Sequence, residues 1–179
     1  MNNVRKRISP LILKKCQLIK LILTDVDGVL TDGGRIYSDK GEMLKKFHVR
    51  DGMAVNLLLT HSIYTCIVTR ENSTITKQWA SDMNVKKVYM NAKNKENLLS
   101  DICNTFKIVP KEVAFIGDDV NDELLLQSVG LSACPNDANS STKKISDYVC
   151  SSSGGKGAFR ELADLIISMK IKHKKKLKQ

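Results

Sequence analysis

The run Leu21-Ile22-Leu23-Thr24 passes without interruption into Asp25, Asp27 and Gly28, and no other stretch limits the fold as much. An unbroken β-rich run reads as a strand buried on both faces, the mark of a parallel sheet covered by helices. Carboxylates set where such a strand stops lie at the carboxyl edge, where open α/β sheets bind ligands. Two acids crowd together there at an electrostatic cost unless a cation or a phosphate chemistry uses them.

The rest of the chain repeats the alternation of strand and helix. Residues 4–19 read as a short helix beginning near Ser9-Pro10, an N-cap followed by a first-turn proline. Beyond Asp32, Arg35-Ile36-Tyr37 and the run from Met43 to Val49 flank Ser-Asp-Lys-Gly, which predicts a β-hairpin with Gly41 in the turn. A helix follows Arg50-Asp51-Gly52, then a strand over 64–69, a helix over 73–83 and a short strand at KKVYM. Lys95 to Phe106 places Leu98, Leu99, Ile102 and Phe106 on one helical face. The strand 113–117 ends on Asp118-Asp119, Asn121 to Ser128 is helical, and Leu131 to Cys134 makes the next strand. A variable stretch, a strand near Tyr148-Val149, a turn at Gly154-Gly155 and a closing helix from Phe159 to Met169 complete the reading. The fold class is α/β: a Rossmann-like open parallel sheet with helices on both faces and a hairpin inserted after the first strand. Three regions result: a basic helical segment over 1–17, a folded domain over 18–169, and a lysine-rich tail over 170–179.

The formal net charge of +10 suggests nucleic acid until it is located. Residues 1–20 hold six basic residues and no acid, and residues 170–179 hold six lysines and no acid, which leaves 17 basic against 19 acidic residues between them. The body is therefore slightly acidic. Its cationic ends lack interleaved aromatics and any binding module, so a nucleic-acid-binding protein is the alternative of another class and no nucleic-acid partner is expected. Five scattered cysteines without a CxxC pair argue against a disulfide framework and a zinc site, and place the chain in a reducing cytoplasm. No apolar run approaches the roughly 20 residues of a membrane span, and the patch from Pro10 to Leu13 is too short for a signal-peptide core.

Three strands end in polar residues that can converge on one edge: Asp25 and Asp27, then Thr69, then Asp118 and Asp119. Lys95, with Lys93 as a rival, opens a helix between the last two. Carboxylates joined by a lysine and a hydroxyl make an oxygen-ligand site suited to Mg²⁺ and phosphate oxygens. A carboxylate can attack phosphorus while a neighbouring acid moves the proton.

DVDGVLTD, a hydroxyl residue after the second strand, a lysine and GDDVND, in that order, resemble the four motifs of the haloacid dehalogenase superfamily of phosphatases. That resemblance implies Asp25 as nucleophile and metal ligand, and Asp27 as general acid and base with its backbone carbonyl on the metal. It implies Gly28, Thr69 and Lys95 around the phosphoryl group, Asp118 as the remaining metal ligand, and Asp119 and Asp122 in support. The gaps from Gly28 to Thr69 and from Lys95 to Asp118 hold no separate cap domain, so cover for the site falls to a neighbouring subunit.

Together with FHVRDGMAV and GGKGAFRELADLI, this capless pattern closely resembles the 3-deoxy-D-manno-octulosonate 8-phosphate phosphatases and their relatives acting on acylneuraminate or ketodeoxynononate 9-phosphates, over about Leu18 to Met169. The resemblance implies Mg²⁺, a phosphorylated sugar acid as substrate, a role in lipopolysaccharide biosynthesis, and homotetramers whose hairpins pack together. It sets Arg50, Gly154, Gly155 and Arg160 near the subunit boundary or substrate entrance. Thr69-Arg70-Glu71 departs from the Thr-Gly-Arg of the octulosonate enzymes, and Glu71 is similar to the nine-carbon branch, where that residue contacts the sugar. Trp79 stands where both branches tend to carry arginine. Arg50, Glu71 and Trp79 are thus the candidate substrate contacts, against plainer roles as surface charge for Glu71 and half-buried packing for Trp79. His48 and His61 have no companion at metal-ligand spacing and read as structural.

Overall fold

The computed structural model describes residues 8–176, with side chains described through residue 173. In chain order the elements are α1 (Pro10–Leu18), β1 (Leu21–Thr24), β2 (Ile36–Ser38), β3 (Gly41–Leu44), α2 (Val49–Thr60), β4 (Tyr64–Val68), α3 (Thr74–Asp82) and β5 (Lys87–Tyr89). They continue as α4 (Leu99–Phe106), β6 (Val113–Ile116), α5 (Glu123–Ser128), β7 (Leu131–Cys134), α6 (Ser140–Ile145), β8 (Tyr148–Val149) and α7 (Ala158–Lys176). Six strands form a parallel sheet in the order β5-β4-β1-β6-β7-β8, while β2 and β3 pair separately as an antiparallel hairpin. No separate cap domain is present among the described residues.

Period-2 alternation in the middle strands explains the two-sided core. Leu21, Leu23, Cys66, Val68, Val113 and Phe115 face one side, where Leu99, Ile102 and Cys103 of α4 and Leu125 and Leu126 of α5 close over them. Ile22, Ile67, Ala114 and Ile116 face the other, against Cys16 of α1, Leu58 of α2, Ala80 of α3 and Phe159, Leu162 and Ile166 of α7. With every β1 residue buried, cutting Leu23 to alanine would cost about 2–5 kcal/mol.

Several boundaries differ from the sequence reading. Ser9 does cap α1, its hydroxyl accepting from the Ile12 amide at 3.3 Å, but the buried Cys16 ties that helix to the core. A division at residue 17/18 therefore cuts through a packed helix, and Met1 to Arg7 of the expected segment lie outside the described residues. The second hairpin strand stops at Leu44 rather than Val49, because its last pairing is with Ile36, the first residue of β2, and α2 starts at Val49, where the His48 ring accepts from the Arg50 amide. The closing helix runs past Met169 to Lys176, into the segment read as a tail, of which residues 177–179 lie outside the described residues. Lysine is a good helix former and nothing there breaks the pattern. Within the variable stretch, Asn139 caps the unanticipated α6 by accepting from the Ser141 amide at 3.1 Å.

Candidate active site

The chain leaves β1 towards β4 on one side and reaches β6 on the other, so β1 lies at the switch point of the sheet, with Thr24 level with Ile67 and Ile116. Residues just past the three strands must meet there. Asp25, Asp27, Thr69, Glu71, Asp118 and Asp119 line one depression of about 180 Å³, together with Arg35, Arg70 and Asn121.

Its floor is buried. Lys95, with no exposed surface, stands 3.0 Å from Asp25 Oδ1 and 2.6 Å from Asp122 Oδ1. The rival Lys93 is exposed. Burial alone would lower the Lys95 ammonium, but the facing charges of Asp25 and Asp122 hold it above the ordinary lysine range. Asp122 also accepts from the Asp118 amide at 3.0 Å, which aims the loop after β6. Gly117 makes room for this, since a Cβ there would lie 2.5 Å from Asp122 Oδ2. Asp119 is held less tightly, accepting from Asn139 Nδ2 at 3.3 Å. Thr69 is buried at the end of β4, and its hydroxyl accepts from the Glu71 amide at 3.3 Å.

Carboxylate oxygens of Asp25, Asp118 and Asp122 all lie within 4.8 Å of one another. Burial raises the Asp25 carboxyl above its ordinary range despite the opposing Lys95 charge. Burial, with the charges of Asp25, Asp122 and Asp119, pushes Asp118 up to about 8. Such repulsion is what a divalent cation relieves, and the all-oxygen donor set suits a hard one. Asp122 is engaged by Lys95 and the Asp118 amide, so Asp25 and Asp118 are the carboxylates open to an ion. Gly28 completes the cradle: its φ is +90°, and a Cβ there would lie 2.1 Å from Asp118 Oδ2.

The rim is built from the hairpin and adjoining loops. Lys45 Nζ lies 2.5 and 2.7 Å from the two Asp27 oxygens and 3.1 Å from Glu42 Oε1. Glu42 in turn accepts from Ser73 Oγ at 2.6 Å, fastening the hairpin to the start of α3. Arg35 Nη2 lies 3.0 Å from Asp27 Oδ2 and 3.1 Å from Glu71 Oε1. Lys45 and Arg35 were missed by motif reading. Their lysine- and arginine-bearing runs look like ordinary solvated strand positions, and the one available signal was that both sit on the hairpin that directly follows Asp27.

Other candidates lie elsewhere. Trp79 stacks on Phe47 with ring centroids 4.6 Å apart and packs against the core, outside the carboxylate pocket. Arg50 lines a different depression with Ser152, Lys156, Arg160 and Glu161. Gly154 and Gly155 are buried against the loop after β1, the Gly155 amide donating to Val29 O at 2.9 Å, so no open entrance forms there among the described residues. A Cβ on Gly154 would lie 2.0 Å from Gly28 O, which explains the glycine without a ligand. Arg160 pairs with Asp164 at 2.8 Å, while its amide donates to the buried Asp51. His48 and His61 cap the two ends of α2.

A parallel sheet with carboxylates from two adjacent strand ends, a buried lysine and a strand-end hydroxyl defines a hydrolase of a known class. Residues 59–162 match the family model described as haloacid dehalogenase-like hydrolase, and the chain belongs to that family. It is 36% identical over 154 residues to the 3-deoxy-D-manno-octulosonate 8-phosphate phosphatase KdsC of Haemophilus influenzae, covering 86% of each chain. The cobalt-bound structure of the H. influenzae octulosonate phosphatase superposes with a TM-score of 0.85 at 36% identity, over 87% of this chain and 91% of that one. The Moraxella catarrhalis phosphatase, solved with magnesium ion, phosphate ion and KDO, superposes with a TM-score of 0.87 at 30% identity, over 89% and 92%.

Proposed function

We propose that this protein is a Mg²⁺-dependent phosphatase that releases phosphate from 3-deoxy-D-manno-octulosonate 8-phosphate. The carrying observation is the floor, where Asp25, beside the open carboxylate of Asp118, is held by a buried lysine at the end of the central strand. Similarity to octulosonate phosphatases over most of the chain supports the substrate, and similarity to the magnesium-containing structure supports the ion.

Asp25 is the nucleophile. It attacks phosphorus, the bond to the sugar oxygen breaks, and Asp27 delivers a proton to that leaving oxygen. Asp27 then takes a proton from water, which attacks the aspartyl-phosphate and returns Asp25 with release of phosphate. Thr69, Lys95 and the backbone at Gly28 hold the phosphoryl oxygens, and Asp122 fixes Lys95. Asp25, Asp118 and the backbone carbonyl of Asp27 would hold the magnesium ion, which would supply neutralising charge for the phosphoryl oxygens. Lys45 and Arg35 set the direction of the Asp27 carboxylate.

Glu71 at the pocket lining favours a second reading, an acylneuraminate or ketodeoxynononate 9-phosphate phosphatase. The two separate on kcat/KM measured for the octulosonate 8-phosphate and the acylneuraminate 9-phosphate. Preference for the first supports the main reading; turnover of neither defeats both. Assembly as a homotetramer is supported by Ile36, Tyr37, Met43 and Leu44 of the hairpin, each more than half exposed. In that assembly Arg50, which lines a separate depression, acts at a neighbour's site. Five buried free cysteines support a reducing cytoplasm, and no helix among the described residues is long and apolar enough to cross a membrane.

A further inference from the structure

The pocket floor accounts for a phosphate but not for the second negative charge of a sugar acid. In such a molecule phosphate and carboxylate stand at opposite ends of the carbon chain, so a cation that reads the carboxylate belongs at the mouth. Among the residues lining the depression the cations are Arg35 and Arg70. Lys95 lies beneath, between Asp25 and Asp122, and Lys45 is enclosed by Asp27 and Glu42.

Arg70 is exposed, whereas Arg35 is fixed. Arg35 Nη2 spans Asp27 at 3.0 Å and Glu71 at 3.1 Å, and Nη1 donates to Tyr37 Oη at 3.3 Å. A guanidinium has five N–H donors, so these three contacts leave two. A planar donor group already held in place loses less freedom on binding a carboxylate than a mobile one. The same contact disposes of an obstacle. Glu71 by itself would repel an incoming carboxylate, and Arg35 neutralises it.

We propose that Arg35 is the specificity residue for the acid end of the substrate, its guanidinium receiving the sugar carboxylate at the mouth while Asp27 and Glu71 hold it in position. This rests on the sugar-acid phosphatase reading above. Asp27 keeps an independent anchor, because Lys45 contacts both of its oxygens, so the effect on carboxylate recognition is separable from the effect on proton transfer.

The test compares kcat/KM for 3-deoxy-D-manno-octulosonate 8-phosphate with that for a carboxylate-free sugar phosphate, mannose 6-phosphate. In the wild type the ratio should favour the acid; a ratio near one overturns the sugar-acid reading and this proposal with it. In Arg35→Ala and Arg35→Gln the ratio should fall by about tenfold to a hundredfold, mainly through KM for the acid, and Arg35→Lys should recover part of it. A wild type that prefers the acid, with variants that lose equally on both substrates, overturns the proposal alone and leaves Arg35 as a positioning residue for Asp27. Collapse of the ratio in Arg50→Ala but not in Arg35→Ala also overturns it, in favour of Arg50.

Discussion

The floor and the rim of the pocket are built on different principles. At the floor, Asp25, Lys95, Asp118 and Asp122 extend from strand ends or the turns next to them and are braced by buried partners. At the rim, Asp27 is surrounded by groups from a hairpin that is not part of the main sheet: Arg35 before it, Lys45 after it, with Glu42 and Ser73 linking it to α3. A buried charge network fails sharply when one partner is removed, because the partner left behind has no water to turn to. At the rim Lys45 is buried as well, but the pairs made by Arg35 are partly exposed, and such pairs fail gradually. On the proposed mechanism, attack on phosphorus belongs to the floor, while proton transfer by Asp27 and substrate choice belong to the rim.

The sharpest way to break this contrast is at the nucleophile. Asp25→Asn should lose at least about a thousandfold in kcat while remaining folded, read by steady-state assay beside circular dichroism. Asp27→Asn should lose roughly 10²–10⁴-fold. Equal, small losses in both would remove the division of roles. Lys95→Met tests the bracing: it strands Asp122 and Asp25 in the interior and should cost about 3–5 kcal/mol in urea unfolding, whereas Arg35→Met, at a partly exposed pair, should cost far less. At the rim, Lys45→Met should lower kcat by about tenfold to a hundredfold through misplacement of Asp27, with KM little changed.

Proton linkage bears on stability rather than on turnover. Because the folded-state carboxyl of Asp118 is raised from 3.8 to about 8, the folded protein binds more protons than the unfolded one between those values, and its stability falls as pH rises through that window. Chelated protein should therefore melt at a lower temperature at pH 8 than at pH 5, a decline reduced in Asp118→Asn and in wild type with added Mg²⁺. A melting temperature that rises with pH in chelator would contradict the repulsion deduced for the floor. Loss of turnover in the same chelator, restored by Mg²⁺, checks the ion itself.

Much of the floor could be seen in the sequence because it is local. Asp25 follows four core residues, Asp118 follows VAFIG, and hydrophobic pattern alone puts both at strand ends. Strand order was harder, since nothing in the spacing of 21–24, 64–68 and 113–116 says that the first lies between the other two. Trp79 shows the opposite limit. Its position relative to the motifs suggested a sugar contact, yet its ring finds Phe47, more than thirty positions earlier in the chain, and the core takes it. Gly154 and Gly155 were legible as a turn, but not as the wedge pressed against the loop after β1, because a Cβ clash exists only once two distant backbones meet.

By itself, then, the sequence determined the opening stretch LILTDVDG as a buried strand ending in paired acids, the alternation of strand and helix, and, through its resemblance to the phosphatases, the candidates for attack, proton transfer and phosphate binding. Periodicity and motif order carry that information, because each depends on residues close along the chain. Tertiary structure alone decided that Lys45 and Arg35 close on Asp27, and that Arg50 and Trp79 stand outside the pocket of their own chain; it also brought Asp122, expected in support, onto Lys95. Those are through-space contacts between charges and rings, and only the packing of helices and hairpin around the sheet sets which of them can meet.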